Sequence, residues 1–204
     1  MKKFQYYFFD KEETPGRFFL DVLVNSGVII ILFLLTQKFL AAPFQVVGHS
    51  MDDTLHDGEY IVVSKLEYTF GQPQRGDIIV FHPPQGNKDY YIKRIIGLPG
   101  DSVRLKSGKV SLNGKELPEP YLRESLKTCL VAFLQDCAGD DKTYTVPEGE
   151  YFVLGDNRSG SSDSRAWFDS ENKPDPFVDK DQIQGKTRLV LYPPMAIRLV
   201  SYEK

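Results

Sequence analysis

The sequence is poor in the residues that build metal, redox or nucleic-acid sites. Two cysteines and three histidines in 204 residues form no cysteine–histidine cluster, so neither a metal nor a cofactor is expected. A formal charge of −3, with no long run of one sign, offers no basic stripe to a phosphate backbone. Nucleic acid is therefore not among the expected partners. Long repeats and low-complexity tracts are also missing. Helical periodicity is scarce beyond the N-terminal region, where the one long apolar run lies.

That run extends from Phe18 to about Thr36, and Gly27–Leu35 carries no strongly polar side chain. It is long enough to cross a bilayer as a helix. A buried core helix would show a polar face, and this run shows none. A cleaved signal peptide is the stronger rival, because Leu40-Ala41-Ala42 loosely resembles a cleavage region. The long polar segment ahead of the run and the run's width favour a retained anchor. Lys2, Lys3, Lys11 and Arg17 precede it and only Lys38 follows closely. The positive-inside bias thus predicts a cytoplasmic tail over 1–17, an anchor over 18–40 and an extracytoplasmic body over 41–204.

The body reads mainly as β. Tyr60–Val63, Ile78–Phe81, Tyr90–Ile96, Tyr151–Leu154 and Arg188–Tyr192 are short, rich in β-branched and aromatic residues, and bounded by turn formers. Val103–Leu117 reads as a hairpin segment with turns at Ser107-Gly108 and Asn113-Gly114. Strands this short without alternating long helices predict an antiparallel, partly closed sheet, with a small inserted lobe over about 102–150. Leu122, Leu126, Leu130 and Phe133 recur at helical spacing and predict one helix there. If that helix ran on to Cys137, it would hold Cys129 and Cys137 roughly 12 Å apart, beyond disulfide reach. A disulfide between them requires a break before Cys137, for which Gln135-Asp136 is the place.

Ser50 closes an apolar stretch, Val46-Val47-Gly48-His49, and leads into Asp52-Asp53-Thr54. Taken alone it suits an N-cap. As a nucleophile it would need a base. His49 adjoins it in sequence and points to the other side in extended chain, whereas His56 and His82 lie in polar, turn-like surroundings. Lys93 is the better candidate. It lies in an apolar strand on the same face as Tyr91 and Ile95, where desolvation, helped by neighbouring Arg94, would favour the neutral amine. The bland reading places Lys93 on the open face of an edge strand.

Gly48-His49-Ser50-Met51 with Thr54-Leu55 and Gly58, Arg75–Phe81, Tyr91–Arg94 with Gly97–Asp101, and Gly155–Arg158 with Ser161–Arg165 resemble the ordered boxes of bacterial type I signal peptidases. Their order behind an N-terminal anchor is far more specific than any one box. The resemblance implies a Ser–Lys protease of the bacterial plasma membrane that removes signal peptides from exported pre-proteins after Ala-x-Ala-like sites. Its implied partners are those signal peptides, membrane lipid and, transiently, the secretion machinery. It also implies roles for individual residues. Ser50 is the nucleophile and oxyanion donor, Lys93 the base, and Ser161 the residue that orients the amine. Phe44, Val46, Met51, Leu55, Val80, Tyr91 and Ile92 line the substrate pockets. Asp77, Arg94, Asp156, Asp163 and Arg165 support the walls. Two positions depart from the pattern: Gly48 lacks the hydroxyl some members carry, and Asp53 stands where proline is usual. The alternatives are a specialised single-substrate peptidase of the family, a self-cleaving repressor-type Ser–Lys protease and an inactive membrane-tethered binding domain.

Overall fold

Period-2 alternation builds most of this molecule. In the computed structural model, which describes residues 15–39, 41–84, 89–134, 136–167 and 175–200, the apolar run forms α1 (Pro15–Phe39). Its Pro15–Thr36 stretch is long and apolar enough to cross a membrane and has no buried side chains. The tail residues Lys2, Lys3 and Lys11 lie outside the described residues.

One residue later the chain enters β1 (Ala41–Gln45), then β2 (Tyr60–Ser64), the short helix α2 (Leu66–Phe70), β3 (Ile78–Phe81) and β4 (Tyr91–Gly97). The second group of strands is β5 (Ser102–Lys106), β6 (Lys109–Leu112), β7 (Lys115–Glu116) and β8 (Asp141–Thr145). β9 (Glu150–Leu154), β10 (Val178–Asp179), β11 (Ile183–Tyr192) and β12 (Arg198–Leu199) complete the chain. The main sheet runs β1-β2-β11-β3-β4-β9-β10, with β12 on β11, and the smaller sheet runs β7-β6-β5-β8. Every pairing is antiparallel, and the main sheet is curled and partly closed.

The turns at Ser107-Gly108 and Asn113-Gly114 have positive φ at both residues, the twist that two-residue hairpins require. β3 and β4 are central to the main sheet, and Ile78, Ile79, Val80 and Phe81 are all buried. The two faces feed separate cores. Val46, Met51, Leu55, Ile61, Val63 and Val80 pack on one. Ile79, Phe81, Ile95, Tyr151, Val153 and Trp167 pack on the other. Trp167 is therefore a core residue.

The helix expected from Leu122 to Leu134 does not form. Isolated turns such as Leu122 N–H to Glu119 C=O and Leu126 N–H to Arg123 C=O replace it. Its apolar positions do not share one buried face: Leu130 packs against the core that includes Val103, Leu105 and Val110, whereas Phe133 is exposed. Tertiary bonds pull the backbone elsewhere instead. Thr128 N–H donates to Gly108 C=O at 2.9 Å, and Leu130 N–H donates to the Asp140 carboxylate at 2.7 Å. Cys129 and Cys137 are joined as a disulfide, with Cα atoms 4.9 Å apart. Gln135, half of the expected break, lies outside the described residues.

Candidate active site

The segment after β1 is pinned before it turns. Val46 N–H donates to Glu59 C=O at 2.8 Å, and Gly58 N–H returns to Val46 C=O at 2.9 Å. Between them Met51 and Leu55 sink into the core, joined by Leu55 N–H to Met51 C=O at 2.9 Å. These two apolar plugs leave Ser50 at the surface of the turn. Ser50 caps no helix. Its Oγ lies 2.8 Å from Lys93 Nζ, which also donates to Ile92 C=O at 2.9 Å.

Lys93 is only 3% exposed. It is thus an interior residue of a central strand and not a solvent-facing one. Burial pulls its pKa down to about 8; Asp163 and Asp156 oppose the shift, and Arg165 adds to it. The assisting arginine is therefore Arg165, not the sequence neighbour Arg94. Arg94 points to the opposite face, where the Asp156 carboxylate accepts from its Nε at 2.9 Å and Nη2 at 2.7 Å. Thr54 Oγ1 donates to the same carboxylate at 2.6 Å, and Arg94 also stacks on the Tyr121 ring.

Asp163 and Arg165 form a second buried pair, at 2.8 and 2.7 Å. Burial pushes the Asp163 carboxyl up, but Arg165 and the Gly155 N–H outweigh it and leave its pKa below the ordinary value. Arg165 also donates to Cys129 C=O at 2.8 Å, which ties the disulfide segment to the site. Ser161 is buried, yet among the described residues its hydroxyl has no hydrogen-bond partner and is not bonded to Lys93. Asp77 joins none of these groups. It accepts from Tyr68 and the Gln74 N–H and pairs with Lys186 at 2.5 Å.

The histidines stay apart from the serine: His49 pairs with Asp52 at 3.2 Å, His56 lies 3.9 Å from the same carboxylate, and His82 lies against Tyr90. A cleft of about 630 Å³ opens over Ser50 and Lys93. Phe44, Val46, Met51, Tyr91 and Ile92 line it, joined by Asp89 and Ser162. Leu55 and Val80 do not line it; both lie beneath in the core. Gly48 has φ +90°, a conformation that favours glycine. Its N–H is committed to Asp57 Oδ1 at 2.7 Å. Asp53 has φ +80°, which proline, fixed near −65°, cannot adopt, and its carboxylate pairs with Arg123 of the disulfide segment. The turn is closed by that ion pair.

The family model for signal peptidases of type S26 matches residues 19–192. The chain belongs to the peptidase S26 family of signal peptidases. It is 40% identical to signal peptidase I of Bacillus licheniformis over 171 residues, which is 84% of this chain and 87% of that protein. It is 36% identical to signal peptidase IB of Staphylococcus aureus strain N315 over 183 residues, 85% of this chain and 90% of the other. A solved signal peptidase I structure from Enterococcus faecalis V583 aligns at 34% identity over 59% of this chain and 97% of that one, with a TM-score of 0.41. Membership makes the protein a serine peptidase, a hydrolase of signal-peptide cleavage. The N-terminal apolar helix and the family together fit a membrane-anchored enzyme.

Sequence reasoning assigned no role to Gly155 or Asn157. A Cβ on Gly155 would stand 2.2 Å from Ser161 Oγ and 2.4 Å from Ser50 C=O, so the absence of a side chain lets these two serines approach. Asn157 N–H donates to Ser50 C=O at 3.1 Å, and its side chain donates to His49 C=O at 2.9 Å. The signal in the sequence is their place in the Gly155–Arg158 box, which by itself gives neither of them a role.

Proposed function

We propose that Ser50 and Lys93 form a catalytic dyad that cuts signal peptides through an acyl-enzyme. The observation that carries this is the 2.8 Å approach of Lys93 Nζ to Ser50 Oγ, by an amine whose burial brings its pKa to about 8. With the amine neutral, Ser50 O–H donates to it and loses its proton as Oγ attacks the scissile carbonyl. The protonated lysine then supplies that proton to the leaving amine, and after its departure the neutral amine activates water to release the acyl group. The Ser50 N–H donates to the oxyanion. An extended segment of the signal peptide lies in the cleft beside Phe44, Val46, Tyr91 and Ile92, where shallow apolar walls favour small side chains in an Ala-x-Ala-like pattern. Ser161, beside the site and without a partner, can turn its hydroxyl to the lysine when that amine moves.

A pH profile tests the base. Below about 8 the ammonium form prevails, so kcat/KM should rise with pH through that value and be lost in acid. The same shift makes the fold gain stability as pH rises from about 8 toward the ordinary lysine value of 10.5. Over that window the unfolded chain holds the proton more tightly than the folded one. A limb centred near 6.5, the histidine value, would contradict the assignment and return attention to His56 and His82.

The same proposal places the N-terminal tail of about 17 residues in the cytoplasm, the anchor across the bacterial plasma membrane and the body over 41–204 outside, near lipid and the secretion machinery. The cationic residues Lys2, Lys3, Lys11 and Arg17 before the apolar run support this orientation. Protease added to intact spheroplasts should digest the body and spare a tag placed before Lys2. Protection of the body would reverse the orientation.

A further inference from the structure

We infer that Asn157 is a positioning residue that fixes the oxyanion-binding N–H of Ser50; this rests on the Ser50–Lys93 reading above. In a trans peptide the C=O of one residue and the N–H of the next point in opposite directions within a rigid plane. Holding His49 C=O therefore aims Ser50 N–H, and holding Ser50 C=O fixes the next plane.

Asn157 does both. Its side-chain Nδ2 donates to His49 C=O at 2.9 Å, and its backbone N–H donates to Ser50 C=O at 3.1 Å. The two planes flanking the Ser50 Cα are thus held by one residue, which sets the direction of the Ser50 N–H and of its Cα–Cβ bond. Asp52 N–H also reaches His49 C=O, at a longer 3.2 Å from within the same turn. The Ser50 N–H itself has no acceptor among the described residues, and Ser50 and Gly48 both face the cleft.

Two further features hold the amide in this sense. Ser159 Oγ donates to Asn157 Oδ1 at 3.2 Å, which leaves Nδ2 to face His49. Gly160 packs against the amide so closely that a Cβ there would lie 2.7 Å from Nδ2 and 3.1 Å from Cγ. Gly160 shows no positive φ, so its lack of a side chain serves the close approach and not the backbone.

The test uses the full-length enzyme in detergent, an Ala-x-Ala precursor peptide and a peptide aldehyde of the same sequence. The aldehyde adds Ser50 Oγ to its carbonyl carbon, passing the serine proton to Lys93 and turning the carbonyl oxygen into an oxyanion, with no leaving group. Asn157→Asp keeps the shape but cannot donate. Gly160→Ala keeps the donor but displaces it.

Asn157→Asp should lower kcat roughly 100-fold with KM within about twofold, and Gly160→Ala should lower kcat about tenfold. The aldehyde inhibition constant should rise by the factor that kcat/KM loses. The pH midpoint of Gly160→Ala, which adds no charge, should stay in place, and the melting temperature of both variants should move by no more than roughly 4 °C. If both variants retain kcat while Ser50→Ala is inactive, the positioning role is wrong and the Ser–Lys reading stands. A loss in KM alone, or activity falling in step with the melting temperature, also overturns it. An active Ser50→Ala protein removes the dyad and this inference together.

Discussion

Ser50→Ala and Lys93→Ala should each lower kcat/KM on a signal-peptide substrate by on the order of 10,000-fold, and the double variant should be no worse than either single one. The prediction follows from the two groups acting as a unit: a hydroxyl without its base is a weak nucleophile, and an amine without the hydroxyl has no proton to take. Both variants should stay folded. Lys93→Ala removes a polar group that is costly to bury, and Ser50 is a turn residue whose neighbours Met51 and Leu55 do the packing. Cleavage of an Ala-x-Ala precursor, followed alongside thermal unfolding, checks both halves. Substantial activity in Lys93→Ala, or an additive loss in the double variant, would mean that the 2.8 Å contact is incidental to the chemistry.

The largest stability effect is expected at Asp156. Arg94 and Asp156 are 0% and 1% exposed in their side chains. Truncating the carboxylate leaves a guanidinium buried without its partner, and breaking such pairs costs about 3–5 kcal/mol. Asp156→Ala should accordingly lower the melting temperature of the full-length enzyme by roughly 10 °C. It should also cost activity, because Thr54 Oγ1 ties the nucleophile turn to the same carboxylate. Asp141→Ala is the control. Its ion pair with Arg104 is half-exposed on both sides, where solvent screens the attraction, so the melting temperature should barely move. Similar shifts for the two variants would show that burial does not govern the worth of these pairs.

How much of this was legible depended on how local each determinant is. The strands at 60–64, 78–81, 91–97 and 150–154 could be read because β-branched and aromatic runs between turn formers carry their own periodicity. Both hairpin turns could be read because Ser-Gly and Asn-Gly supply positive φ from the residues alone. The stretch from Leu122 to Leu134 could not. Its apolar spacing is helical, but the decisive bonds are tertiary: Gly108 and Arg165 reach it from remote segments, and Asp140 and the disulfide close short loops that a helix cannot make. Lys93 stood out because an ammonium in an apolar strand is costly wherever it occurs. The arginine that acts on it did not. Arg94 is adjacent in sequence but lies on the other face, whereas Arg165 reaches it from a distant turn. Asn157 was equally hidden, since its partners are backbone carbonyls about a hundred residues away, and no side-chain pattern marks a carbonyl.

The state of the Lys93 amine decides whether the dyad is chemistry or packing. A ¹³C NMR titration of the lysine Cε signals in the full-length detergent-solubilised enzyme measures it directly, with the Lys93 resonance assigned by its absence from Lys93→Ala. The account predicts a Lys93 midpoint of about 8. A Lys93 midpoint at or above the ordinary lysine value of about 10.4 would leave the amine charged at working pH and contradict its role as base.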